Sequence, residues 1–150
     1  MTFSEEPITE ALLAEVRPLL EKHWKEIAHY KDIELNPDYS LYLKMQEMGM
    51  IHAYGARLDD NNKLIGYAVY VVRPNLHYRQ CLQATEDIIF FDPDHRGHGM
   101  KFIMWCDEQL KKIGVMMVTH HIKFSFDWSK ALMRMGYEKT DMQLCKRLDK

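Results

Sequence analysis

The stretch Phe91-Asp92-Pro93-Asp94-His95-Arg96-Gly97-His98-Gly99-Met100-Lys101 constrains this chain more than any other. An apolar run, Cys81 to Phe91, precedes it and reads as a strand. The run that follows carries Ile103, Cys106, Leu110 and Ile113 on one face and reads as an amphipathic helix over 101–113. A strand, a short glycine-bearing loop and a helix start together make an anion cradle. Loop N–H groups and the first helical N–H groups converge on one spot, which the helix dipole makes electropositive. Gly97 and Gly99 let the main chain bend and let a ligand approach it. Arg96 adds a fixed charge with several donors. The dinucleotide pattern G-x-G-x-x-G and the phosphate loop G-x-x-x-x-G-K-[ST] are both absent. The competing reading is a plain strand-to-helix turn whose glycines only relieve strain.

A chain of 150 residues with 47% hydrophobic and 28% charged residues is long enough for one domain with a real core. The formal net charge of −2 argues against bulk binding to nucleic acid or an anionic membrane. No segment approaches the ~20 apolar residues a membrane span needs. The first residues, Met1-Thr2-Phe3-Ser4-Glu5-Glu6, are acidic where a signal peptide is basic and then apolar. Cys81, Cys106 and Cys145 are widely spaced, with no CxxC, which fits free thiols in a reducing cytoplasm. Most of the 11 Met read as gap-fillers of the core.

Ile8, Leu12, Val16, Leu19, His23 and Ile27 recur at helical spacing and predict a first helix over 8–29, with a kink or break at Pro18. Asn36-Pro37 reads as a helix start and Gly49 as a stop, framing a second helix over 37–48. Met50 to Leu58 and Leu64 to Arg73 flank the turn Asp59-Asp60-Asn61-Asn62-Lys63 and read as a hairpin. The strand into the glycine loop comes next, then the loop helix, ended by Gly114. Val115 to Val118 reads as a short buried strand, Trp128 to Met135 as a last helix capped by Asp127, and Met142 to Leu148 as a final strand. The order is α, α, β, β, β, α, β, α, β, with no linker or repeat.

The loop and this order together resemble the GNAT family of N-acetyltransferases. Its acyl-CoA loop reads [Q/R]-x-x-G-x-[G/A] after the fourth strand. Arg96 and Gly99 hold the first and fourth positions, and Lys101 departs at the sixth. Near the end of the chain, Arg134-Met135-Gly136-Tyr137 is similar to the family's Lys-x-Gly-aromatic. Aligned there, Ser125 stands at the family's Asn and Leu132 at its Tyr, both departures. The family also has an optional short N-terminal strand. The chain loosely resembles compact members carried by tailed phages.

The resemblance implies an α+β (α/β) fold of the GNAT acyl-CoA N-acyltransferase type, a mixed, mostly antiparallel central sheet flanked by helices, in one domain over 1–150. It implies transfer of the acetyl group of acetyl-CoA to a primary amine of a small molecule or protein, by direct attack in a ternary complex. The cofactor positions are then Phe91, Arg96, Gly97, His98, Gly99, Met100, Lys101 and Ser125, with Lys101 adding charge at the pyrophosphate. A homodimer is left open, and no nucleic-acid or membrane partner is expected.

An amine that titrates near ~10.4 in water must lose its proton before it attacks. The family's base is a carboxylate on the strand before the loop. Glu86 and Asp87 both lie there, and neighbours on a regular strand face opposite sides. Asp87 shares a face with Ile89 and Phe91 and is preferred over Glu86. Of His120-His121 one faces the cleft, and His121 joins the two carboxylates as a catalytic candidate. His95 and His98 lack a Cys or carboxylate at ligand spacing, so no metal site is expected. Leu132 cannot protonate a leaving thiolate, which leaves Ser125, Ser129, water or unassisted departure. The same Leu132 supports an alternative, a catalytically inactive binding or assembly module. Trp24, Tyr30, Tyr39, Tyr42 and Tyr54 lie on elements that build the acceptor pocket in the family, and helix-face packing explains them equally well. The acceptor itself stays open among a protein lysine, an N-terminus, a polyamine and an antibiotic amine.

Overall fold

The apolar run Leu64–Pro74 is the middle strand of a five-stranded sheet in a computed structural model that describes residues 1–95 and 97–150. In chain order the elements are β1 (Thr2–Glu5), α1 (Glu10–Ile27), α2 (Tyr39–Glu47), β2 (Ile51–Arg57), β3 (Leu64–Pro74), β4 (Leu82–Phe91), α3 (Gly99–Lys112), β5 (Met117–Thr119) and α4 (Ser129–Arg134). Strands neighbour one another in sequence order, antiparallel except for the parallel β4–β5 pair. β3 is apolar almost throughout because both of its faces are covered. Ala68, Tyr70 and Val72 meet Phe102, Cys106 and Leu110 of α3, while Tyr67 packs with Leu12 and Leu19 of α1. Ile51, Ala53 and Val69 form a third cluster with Tyr42, Leu43 and Met45 of α2.

The hairpin, β4 and α3 fall where their patterns place them. Other elements differ for identifiable reasons. α1 is capped by Thr9, whose side chain accepts from Leu12 N–H at 3.2 Å, and it runs through Pro18 unbroken. Pro18 is exposed, so the lost hydrogen bond lies on the solvent side, where it is tolerated. Asp38, not Asn36, caps α2, accepting from Leu41 N–H at 3.0 Å. β1 pairs with β2 from Thr2↔Arg57 to Glu5↔Tyr54, so a segment read from its charges alone supplies a sheet edge. Val115-Met116 precedes β5 rather than forming it.

The expected strand over 142–148 is absent. β5 offers a paired length of only three residues, and the tail is drawn elsewhere. Arg147 meets Asp32 at 3.1 Å and stacks over the Tyr30 ring, and Lys150 Nζ lies 2.8 Å from Asp32. Met142, Leu144 and Leu148 remain exposed. All three cysteines are free thiols, Cys81 and Cys106 buried. Among the described residues, no helix is long and apolar enough to cross a membrane.

His23 sits inside this packing. It is 5% exposed, its ring lies 4.9 Å from that of Phe90, and Nδ1 is 3.3 Å from Tyr67 Oη. Burial pushes its pKa down from 6.5 to about 4, against the opposing pull of Glu26 and Glu86. The unfolded chain therefore takes up this proton below pH ~6.5 and the native chain only below about 4. Stability should fall as pH drops through that window, by up to about 3 kcal/mol, and stay unaffected above it. Denaturant unfolding measured from pH 4 to 7 checks this, and His23→Phe should flatten the slope.

Candidate active site

β4 changes phase halfway along. Leu82 and Ala84 pack on the α3 side, and so do Ile89 and Phe91, whereas Ile88 and Phe90 face the other way. A regular strand cannot place Ala84 and Ile89 on one face. The register explains it: Tyr70 pairs with Glu86 and Val69 with Ile88, so Asp87 has no partner across the ladder and forms a β-bulge. Just before it, β4 loses its other neighbour. The β4–β5 pairs are Gln83↔Met117, Ala84↔Val118 and Thr85↔Thr119, and β4 then continues alone on that side to Phe91. The two strands part in a V whose open edge runs from the bulge to the glycine loop.

The loop itself is held from behind. Asp92 is 3% exposed; its N–H donates to Ile65 C=O at 2.7 Å, and its carboxylate accepts from Asp94 N–H at 3.2 Å. Lys22 Nζ of α1 reaches Asp92 Oδ2 at 3.1 Å. Burial opposes ionisation of Asp92, but the Asp94 N–H and the Lys22 ammonium outweigh it and hold the carboxyl below its ordinary range. The Phe91 ring lies against Phe102, with centroids 6.0 Å apart, and covers Gly66, where a Cβ would stand 2.6 Å from Phe91 Cδ2. β4, its turn and the start of α3 thus form one rigid corner.

Beyond that corner Gly97 adopts φ +113, a conformation side chains resist, and α3 begins at Gly99. His98 is the N-cap residue and makes no side-chain cap hydrogen bond, so the first-turn N–H groups keep their capacity for a ligand. Nothing lies within 4 Å of where a Cβ would be on Gly97 or Gly99. Lys101 is exposed on the first turn and does not crowd the loop, and Met100 is half-buried. Arg96 lies outside the described residues. These features fit the phosphate arm of an acyl-CoA: donors at a helix start, room at the main chain, and an unpaired strand edge leading to them.

The bulge also assigns the two carboxylates, and it reverses the expected faces. Asp87 does not share a face with Ile89 and Phe91. It is exposed, and its Oδ2 accepts from Tyr42 Oη of α2 at 2.5 Å. Burial, then the Asp87 hydrogen bond, pushes the Tyr42 hydroxyl well above its usual range, so Tyr42 remains a donor. Glu86 is 6% exposed and accepts from His121 N–H at 3.1 Å. His120, not His121, turns its side chain inward. Its Nδ1 lies 3.4 Å from Glu86 Oε2, and its ring is boxed by Tyr70, Trp128 and Tyr137. The His121 side chain is exposed, so its tie to Glu86 is made by the backbone. Ser125, in the single turn Phe124–Phe126, is exposed and makes no hydrogen bond to the glycine loop among the described residues. Leu132 is buried.

On the Asp87 side a cavity of about 390 Å³ lies between α1, the 33–39 connection and α2 above and β2–β4 below. Trp24, Tyr39 and Tyr42 line it. Tyr54 also borders it, but its ring turns to the α3 side, 5.6 Å from Trp105, and Tyr30 lies with the tail at Arg147 and Cys145. Two elements of the site carry no local sequence signal. The Lys22–Asp92 pair joins residues far apart in the chain, and the bulge is a property of register.

Comparison of the sequence with protein-family models and with curated proteins finds no match. Solved structures do match over nearly the whole chain. An aminoglycoside acetyltransferase from an uncultured soil metagenomic sample, in complex with sisomicin, superposes with TM-score 0.72 at 17% identity, covering 97% of this chain and 96% of the other. A ribosomal-protein-alanine N-acetyltransferase from Brucella melitensis gives 0.69 at 15%, covering 98% and 99%. A predicted acetyltransferase from Clostridium acetobutylicum, solved with acetyl-CoA, gives 0.68 at 15%, covering 98% and 96%. The chain therefore has the fold of the GNAT acetyltransferases, in the α+β class.

Lys22→Met should strand the buried Asp92 carboxylate without its counter-charge and cost about 1–3 kcal/mol. Asp92→Asn, which keeps the shape of the turn, should cost less when made on top of Lys22→Met than alone. A double-mutant cycle by denaturant unfolding reads the coupling.

Proposed function

We propose that this chain is an N-acetyltransferase that binds acetyl-CoA along the open edge of β4 and in the Gly97–Lys101 cradle, and passes the acetyl group to a primary amine. The observation that carries the proposal is the parting of β4 from β5 after Thr85↔Thr119, which leads a free strand edge into an open helix start. Acetyl-CoA supplies an activated thioester. The N–H groups at Gly99, Met100 and Lys101 and the Lys101 ammonium would hold its phosphates, with Arg96 added from the sequence pattern.

The chain's own part in the chemistry is positioning and proton removal. Asp87 stands at the bulge where the strand edge becomes free, on the side of the cavity, exposed and fixed by Tyr42. There it would take a proton from an incoming ammonium, directly or through water. Glu86 is occupied inward, where it ties the chain after β5 to β4 by accepting from His121 N–H, with the His120 ring packed beside it. Its role is to keep the V open at a fixed width. No hydroxyl stands at Leu132, so departure of the thiolate relies on water or needs no acid. That apolar, buried Leu132 is also the specific observation in favour of a second reading, a protein of this fold that binds its ligand without turnover.

Acetyl-CoA should raise the melting temperature, as any ligand of the native state does. Gly99→Leu is the sharpest control. Its Cβ meets nothing within 4 Å, so the variant should fold normally yet lose most of the ligand-induced shift. Equal shifts in variant and wild type would move the ligand elsewhere. In a thiol-release assay, Asp87→Asn should lower kcat about 10²-fold with the acetyl-CoA shift retained. Glu86→Gln should mainly lower stability. The opposite pattern would make Glu86 the base, and a melting shift without turnover for any amine supports the second reading.

A further inference from the structure

We infer that the acceptor is a primary amine carried on an apolar, ring-bearing body, and that the cavity between α1, α2 and the sheet holds that body. The inference rests on the acetyltransferase reading and adds the substrate class to it. Position comes first. Tyr42 and Ile88 both line the cavity; Asp87 is hydrogen-bonded to the former and precedes the latter in β4. The cavity thus ends beside the carboxylate that would take the amine's proton. Its volume, about 390 Å³, lies at the small end of the range for pockets that enclose a compact organic ligand.

The lining decides the class. Leu12, Val16, Leu20, Trp24, Tyr39 and Tyr67 dominate it, and among the described residues no Lys, Arg or His lines it. A sugar phosphate would bring a dianion into a site with no cation to meet it. A polyamine or a multi-ring aminosugar would bring several ammonium or hydroxyl groups, each losing water against carbon. The carboxylates at the cavity are Glu6 and Glu34. Glu6 is already engaged, its oxygens accepting from Arg57 Nε at 2.7 Å and from a second Arg57 nitrogen at 3.2 Å. Glu34 is exposed at the rim. One ammonium at Asp87 and an apolar remainder inside match the predominantly apolar walls, while Asn36, like Glu34, is exposed. α2 agrees with this: none of its residues is fully buried, because its inner face covers a cavity as well as the core.

The test is thiol release with saturating acetyl-CoA over a panel of amines: 2-phenylethylamine, cyclohexylmethylamine, spermidine, glucosamine 6-phosphate and an alanine-led peptide. The two apolar amines should exceed the others at least tenfold in kcat/KM. Leu20→Trp fills the cavity and should cut kcat/KM for them at least tenfold, mostly through KM, with the acetyl-CoA melting shift retained. Val16→Phe does the same from the neighbouring turn should Leu20→Trp not fold. The highest kcat/KM for spermidine, the sugar phosphate or the peptide overturns the substrate class and leaves the acetyltransferase reading standing. Apolar-amine kinetics unchanged in the filled variants, or acetyl-CoA binding with no thiol release from any amine, also overturns it. Absence of both the melting shift and thiol release overturns the acetyltransferase reading, and the acceptor role with it.

Discussion

At Asp87 the β4 chain carries one residue more than β3 opposite it, and that residue turns the strand over. Before it, Ala84 and Glu86 face α3; after it, Ile89 and Phe91 do. A bulge leaves backbone groups unpaired and bends the strand, which costs ladder hydrogen bonds. Here it coincides with the last β4–β5 pair at Thr85↔Thr119. The sheet therefore opens where β4 also changes direction. Acidic groups are delivered to both sides of the opening, Glu86 to the α3 side and Asp87 to the α2 side. The remainder of the fold stiffens this arrangement.

That stiffening comes from α1 as much as from the sheet. Lys22 reaches under the loop to Asp92, and Arg57 at the end of β2 binds Glu15 of α1 at 2.8 Å as well as Glu6. Asp92 and Arg57 are largely buried while Lys22 and Glu15 stay half-exposed, so each pair ties α1 to the sheet from one buried end. The corner built from Phe91, Gly66 and Phe102 then sets where α3 begins. In the proposed acetyltransferase reading, the rigid corner would anchor the cofactor, the free strand edge would align it, and the cavity beside Asp87 would select the amine.

Much of this was legible in the residues. Apolar runs on either side of turn chemistry locate the hairpin of β2 and β3, and the Gly97–Gly99 spacing locates the loop. The resemblance carried by Arg96, Gly99 and the element order leads to the fold that the structural neighbours share. The faces of Glu86 and Asp87 are not legible, because strict alternation holds only for a regular strand and a bulge exists only in the register of two strands. Alternation predicts that one of His120 and His121 faces the cleft, but β5 ends at Thr119, so alternation governs neither. The tail misled because Met142, Leu144 and Leu148 resemble a strand locally, while Asp32, far away in sequence, offers Arg147 and Lys150 charged partners. The cavity has no local signature; only the family resemblance points to Trp24, Tyr39 and Tyr42, which line it.

The central claim is that acetyl-CoA lies along β4 and in the cradle at the start of α3. An amide-resolved NMR titration of the ¹⁵N-labelled protein tests it most directly. The account predicts that acetyl-CoA shifts the backbone signals of Ile88 to Phe91 and of Gly97 to Lys101. The Trp24 indole, on the cavity wall, should move only when an amine is added. Acetyl-CoA shifts centred on Trp24 and α2, with the Gly97–Lys101 signals unmoved at saturation, would contradict it.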